Sequence, residues 1–169
     1  MAARGIRIMG DPVLRQKAEP VAAIDGEIRR LIKDMFDTMY EADGVGLAAP
    51  QVGVSHRVIV VDPHEQDVKP FGLVNPVILE SGDEAERSEE GCLSIPGLKD
   101  IVERPASVVV EALDADGKPV RIEADGLLAR VLQHEVDHLD GILFIDRVSP
   151  LKRKMLLKRW QKVKPETTT

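Results

Sequence analysis

One cysteine, Cys92, stands among 169 residues, so no intramolecular disulfide can staple the chain and its fold must hold by packing, as suits a reducing compartment. Aromatic residues make up only 3%, which leaves Leu, Ile, Val, Ala and Met to build the core. It also leaves few platforms for the base stacking that single-strand nucleic-acid binders use. No apolar run approaches the roughly 18 residues of a membrane span. The opening from Met1 to Gly10 lacks the apolar stretch of a secretory leader, and a helix-start signal follows at Asp11-Pro12. A cytoplasmic protein is therefore expected, neither secreted nor membrane-anchored.

What the chain does contain is 43% hydrophobic and 31% charged residues, the balance of a folded domain, and its length suits one domain. Its charge is uneven. Arg147 to Pro165 holds eight of the 23 Lys and Arg and none of the 29 acids, leaving a net −14 on the remainder. One catalytic domain over 1–165 is expected, with a basic helix at 149–165 and a flexible threonine-rich tail at 166–169.

Periodicity places the elements. Asp11 and Pro12 supply an N-cap and first-turn proline for a short helix. From Asp25, Ile28, Leu31, Ile32, Met35, Phe36, Met39 and Tyr40 recur at steps of three and four, which predicts a helix burying one stripe and ending at Asp43-Gly44. Val45 to Gln51 reads as a loop or irregular strand. Arg57 to Val61 and Gly72 to Leu79 read as strands, with Pro76 demanding an edge or a bulge. The acid-rich Glu80 to Glu90 reads as a solvated turn. Ser107 to Leu113 and Lys118 to Ile122 flank Asp114-Ala115-Asp116-Gly117 as a hairpin. Asp125 is expected to cap a helix carrying Leu127, Leu128, Val131, Leu132, Val136 and Leu139 and stopped by Gly141. Ser149-Pro150 opens the last helix, where Leu151, Met155, Leu156, Trp160 and Val163 form a candidate apolar stripe. Strands grouped in the middle, not alternating with helices, predict an α+β fold of mostly antiparallel short strands around a central helix, with an N-terminal and an amphipathic C-terminal helix.

That central helix carries His134-Glu135-Val136-Asp137-His138, an H-E-x-x-H pattern. At about 100° per residue the two imidazoles lie about 40° apart, one turn from each other, where one metal can take both. They continue the stripe of Leu127 and Val131 and should face inward. Two buried imidazoles need partners, and a metal satisfies both at once. A helix with two incidental histidines is the bland alternative, and core packing alone would account for Leu127 and Val131. A catalytic metal takes a third protein ligand. Asp140, Asp146 and Cys92 are the candidates, although a lone cysteine is more often a small buried hydrophobe. His56 and His64 sit in polar, turn-like sequence and are expected to be solvated.

Three segments together, Gly44-Val45-Gly46-Leu47-Ala48-Ala49-Pro50-Gln51, Glu90-Gly91-Cys92-Leu93-Ser94 and Gln133-His134-Glu135-Val136-Asp137-His138, resemble the motifs of peptide deformylases of the bacterial type in order and approximate spacing. The likeness runs from Ile6 to about Pro150 with no departure inside the motifs; Ser88 and Arg130, beside the substrate pocket, are positions where that family varies. It implies one divalent metal ion held by Cys92, His134 and His138, with water in the fourth position. The family's metal is usually Fe2+, while the ligand types also accept Zn2+, Ni2+ or Co2+.

The implied reaction removes the N-formyl group from the N-terminal formylmethionine of nascent polypeptides and releases formate. Glu135 would act on the water as general base and then on the leaving amine as general acid. The Gln51 amide and the Leu93 N–H would stabilise the oxyanion. By the same resemblance Val45 and Gly46 pair with the substrate backbone, and Val45, Leu127 and Val131 wall the methionine pocket. Gly46 also suits a tight turn. Arg104 falls where the family often has an arginine near the substrate's exit, although a surface salt bridge is an arginine's commoner fate.

The basic C-terminal helix suits either a solvated face or contact with ribosomal RNA. Two other readings stay open: an H-E-x-x-H zinc endopeptidase, and a noncatalytic, metal-stabilised module that docks on ribosomes. The third ligand separates the first, and the need for Glu135 separates the second.

Overall fold

The computed structural model describes residues 3–165; the tail expected at 166–169 lies outside them. Among these residues the order is α1 (Gly26–Glu41), β1 (Gly46–Ala48), β2 (Val58–Val61), β3 (Phe71–Ser81), β4 (Ala85–Gly91), β5 (Lys99–Pro105), β6 (Ser107–Leu113), β7 (Pro119–Asp125), α2 (Gly126–Leu139) and α3 (Pro150–Val163). The strands pair antiparallel, in a five-stranded sheet ordered β1-β2-β3-β6-β7 and a separate β4-β5 hairpin. This is the α+β arrangement expected, with α2 as the central helix.

The short β2 shows how the core is organised. Ile59 and Val61 pack with Val131, Leu132 and Val136 of α2, whereas Val58 and Val60 pack with Ile28, Leu31 and Met35 of α1. A strand covered on both faces has no polar side, hence its unbroken β-branched run. Helix α1 starts where Asp25 accepts the Ile28 N–H at 3.1 Å, and it buries the predicted stripe apart from its flank. Tyr40, on that flank, is 42% exposed and donates its hydroxyl to Asp62. In β3, Pro76 takes the bulge and not the edge. The strand is flanked by β2 and β6, and its register to β6 slips between Val74 and Val77.

Three expectations are corrected. The acid-rich segment is a solvated turn only over residues 82–84; residues 85–91 form β4, and Glu90 points inward, fully paired with cations. Asp125 occupies the N-cap position of α2, but its side chain accepts no first-turn N–H. Along α3 only Leu156 and Trp160 are buried, in a third core with Ile95, Leu98, Val102 and Phe144, while Leu151, Met155 and Val163 face solvent. The helix docks along a narrower stripe than its sequence allows. No helix of the described residues is long and apolar enough to cross a membrane.

Candidate active site

Both histidines of α2 face inward, His134 at 9% exposure and His138 at 1%. Cys92 reaches them from the turn that follows β4. The three ligand atoms lie within 4.8 Å of one another, with Cys92 Sγ 3.3 Å from His138 Nε2. Ligands of a tetrahedral metal with one sulfur and two nitrogens are spaced by about 3.5 Å, so the triangle fits such an ion. Asp140 and Asp146 are committed elsewhere, the first to Arg57 and the second to Arg15 and Arg153. The third donor is thus Cys92.

Glu90 organises this triangle from behind. Its Oε1 accepts from His134 Nδ1 at 2.8 Å, which leaves the other ring nitrogen for the ligand position. Arg104 grips the same carboxylate at 2.6 and 2.9 Å, and Arg130 donates to it as well. Burial would raise the Glu90 pKa, but the bonds from His134 and Arg104 outweigh it and bring it to about 2. Burial, reinforced by the neighbouring His134, holds His138 well below the ordinary histidine value, in the neutral form that ligates.

Glu135 occupies the adjacent wall at 4% exposure, and burial lifts its pKa to about 7. Among the described residues, the buried side-chain atoms without a hydrogen-bond partner are Glu135 Oε1 and His138 Nδ1, both at this site. A carboxyl group held near neutrality with one free oxygen can both take up and release a proton. Across from it, Gln51 has its amide orientation fixed. Oε1 accepts from Ala48 N at 3.0 Å, and Nε2 donates to Ser94 Oγ at 3.1 Å and points at Cys92 Sγ, 3.6 Å away.

A cleft of about 420 Å³ opens onto these groups, lined in part by Val45, Gly46, Gln51, Leu93, Leu127 and Val131. Strand β1 is the terminal strand of its sheet, so its outer edge is open to an extended chain. The turn reading of Gly46 does not hold, since the residue lies inside β1. A Cβ there would fall 2.7 Å from Glu135 Oε2 and 2.8 Å from Val131 Cγ1. Glycine is needed so that β1 can lie against α2.

Arg104 is the second correction at this site. It is 4% exposed, bound to Glu90 and to Asp137 at 2.9 Å, and absent from the cleft wall, so it is neither at a substrate exit nor in a surface salt bridge. One of its partners, Glu90, lies in the segment expected to be a solvated turn; the other, Asp137, lies on α2 between the two histidines. The cations that line the cleft are Lys99, five residues earlier, and Arg130 of α2. Glu90 was missed too, although a metal-binding histidine needs a carboxylate or carbonyl behind it and Glu90 stands two residues before Cys92. His64, expected to be solvated, is exposed but hydrogen-bonds through Nε2 to Gly44 O at 3.1 Å, while Asp62 N donates to Val45 O at 2.8 Å. Together they brace the strip that leads into β1.

A cysteine sulfur and two imidazoles around one point, with a carboxyl group that can carry a proton and an open strand edge alongside, define a metal-dependent hydrolase. Comparison with known proteins narrows the class. The family model described as polypeptide deformylase matches residues 3–154. A peptide deformylase of Brucella suis is 52% identical over 96% of this chain and 94% of its own length, and one from Natranaerobius thermophilus is 54% identical over 91% and 97%. Among solved structures, a peptide deformylase from Legionella pneumophila superposes with a TM-score of 0.86 at 49% identity, covering 96% of this chain and 99% of that one. Another, from Synechococcus elongatus in complex with actinonin, gives 0.88 at 46% identity over 98% and 94%. The chain belongs to the polypeptide deformylase family and is an enzyme of it, a metal-binding hydrolase.

Proposed function

We propose that the enzyme hydrolyses the N-formyl group from the formylmethionine that begins nascent polypeptides, releasing formate. The carrying observation is the juxtaposition of Glu135, with its pKa near 7, and the Cys92, His134 and His138 triangle at the end of an open strand edge. A divalent metal held by these three residues supplies Lewis-acid activation of water and of the formyl carbonyl.

The chain's own residues then divide the work. Val45 and Gly46 offer backbone groups to the extended substrate, and Val45, Leu127 and Val131 receive the methionine side chain. Glu135 takes the proton of the attacking water and later delivers it to the leaving amine, so no proton need come from bulk solvent. Gln51 Nε2 and the Leu93 N–H donate to the oxygen that becomes negative, each worth about 3 kcal/mol to the transition state. The bonds of Gln51 to Ala48 and Ser94 mean its amide need not reorganise.

Ferrous iron is our proposed metal on the family resemblance; Zn2+, Ni2+ and Co2+ suit the same donors. We place the enzyme in a bacterial cytoplasm, where formylated chains emerge, as one catalytic domain over 1–165. Its basic α3, with Leu151 and Met155 turned outward beside Lys152, Lys154 and Lys158, is proposed to approach ribosomal RNA.

The deciding experiment measures formate release from an N-formylmethionyl peptide by anaerobically prepared, metal-loaded enzyme, beside a Glu135→Ala variant with verified metal content. Release by the wild type and a loss of about 10²-fold or more in the variant are expected. Absent formate with internal peptide cleavage would instead make this an endopeptidase, and undiminished activity of the variant would remove Glu135 from the chemistry.

A further inference from the structure

We infer that Arg130 fixes the width of the side-chain pocket and thereby the selectivity for the residue bearing the formyl group; this rests on the deformylase reading above. Arg130 lies on α2 one turn before His134, and its side chain lines the cleft while only 8% exposed. Its guanidinium is spent on the other wall. Nη1 donates to the Glu90 carboxylate and to Val102 O at 3.0 Å, and Nη2 donates to Glu86 O at 2.7 Å. Glu86 and Glu90 belong to β4 and Val102 to β5, so one side chain of α2 holds both strands of the hairpin.

The hairpin needs such a tie, because it forms a sheet of its own with no ladder to the five-stranded sheet. Three other polar ties join it to α2, the first being the bond from His134 Nδ1 to Glu90 Oε1 at 2.8 Å. Arg104 reaches Asp137, and Gln133 donates to Pro105 O at 2.9 Å. Asp137 lies two turns further along the helix, about 10 Å from Arg130, and Pro105 ends β5. Of these ties only His134 and Arg130 line the cleft; His134 holds Glu90 alone, whereas Arg130 reaches β5 as well. Leu127 and Val131 flank it on one wall, and Gly91, Leu93 and Leu98 belong to the segment it holds. With its charge spent on Glu90, the stem adds apolar surface to the pocket, which stays suited to an unbranched thioether.

A small displacement of that wall changes the fit of bulky and slender side chains unequally, and misfit by one methylene is worth about tenfold or more. Arg130→Met keeps the stem and removes every donor, whereas Arg130→Lys keeps a charge for Glu90 but cannot span both carbonyls. The test compares kcat/KM on formyl-methionyl, formyl-norleucyl and formyl-phenylalanyl peptides with hydrogen exchange of the β4 amides. In Arg130→Met the methionine-over-phenylalanine ratio of kcat/KM is expected to fall about tenfold, with faster exchange at Glu86 to Gly91. Arg130→Lys should lie between.

An unchanged ratio, or an equal loss on all three peptides, in a folded and metal-loaded variant overturns the inference. Should the methionine variant fail to fold, the lysine variant carries the same criterion. A wild type that releases no formate from any of the peptides breaks the functional reading itself; an active wild type whose variants keep its selectivity breaks this inference alone.

Discussion

The Glu90 carboxylate accepts a hydrogen bond from His134 Nδ1 at 2.8 Å while Arg104 grips it at 2.6 and 2.9 Å. A ligand ring is thus oriented by an acid that is itself immobilised by a buried cation. Replacing Glu90 with Gln keeps the shape and removes the charge that strengthens the imidazole as a donor. Metal affinity is expected to fall about 10- to 100-fold, read by competition with a chelator. Unaltered affinity would assign Glu90 a packing role only.

Glu135 makes the metal-free enzyme's stability depend on pH in an unusual direction. Its pKa is about 7 folded against an ordinary 4.5, so the native state holds a proton that the unfolded chain releases across this window. The contribution is complete below the unfolded value and is lost as pH rises through about 7, a decline of about 3 kcal/mol. Urea unfolding of apo wild type at pH 5 and pH 8, beside Glu135→Gln, should show that decline in the wild type and a flatter dependence in the variant. Equal slopes would mean that Glu135 ionises normally.

Gly46→Ala tests the contact between β1 and α2. The added methyl group would meet Glu135 Oε2 at 2.7 Å and Val131 Cγ1 at 2.8 Å, so both side chains must shift within the cleft they line. Overpacking of this kind costs about 1 to 3 kcal/mol. We expect a lower melting temperature together with a fall in kcat, because the displaced group is the proposed proton carrier. Stability lost with kcat preserved would separate the packing from the chemistry.

Any contact of α3 with ribosomal RNA must be electrostatic. Each phosphate neutralised contributes a slope of roughly −0.7 to −0.9 in log affinity against log salt. Co-sedimentation with ribosomes from low to physiological salt should show a steep decline, lessened in a Lys154→Glu, Lys158→Glu variant. Binding insensitive to salt, or none at the lowest salt, would count against the contact.

Much of this protein was legible in its sequence because the signals are local. Helix α1 follows from an apolar period and a cap within 16 residues, and the inward aim of His134 and His138 follows from their angle on the stripe of Val131. The bulge at Pro76 follows from a missing donor. Cys92 was different, for spacing alone left it level with Asp140 and Asp146, and the resemblance to a family was needed to prefer it.

Other features were decided only when distant segments met. Burial of Glu90 requires Arg104 and Arg130 to arrive from β5 and α2, since a carboxylate enters the core only where cations compensate its lost hydration. The same meeting withdrew Arg104 from the surface and left Lys99 at the cleft. Gly46 is obligatory because of a helix some 90 residues away, a requirement no local pattern encodes. Sequence by itself determined the helices, most strands of the larger sheet, the inward histidines and the chemistry they could support. Tertiary structure decided which charges are buried and how the hairpin wall is held, because both depend on desolvation and on contacts between residues far apart in the chain.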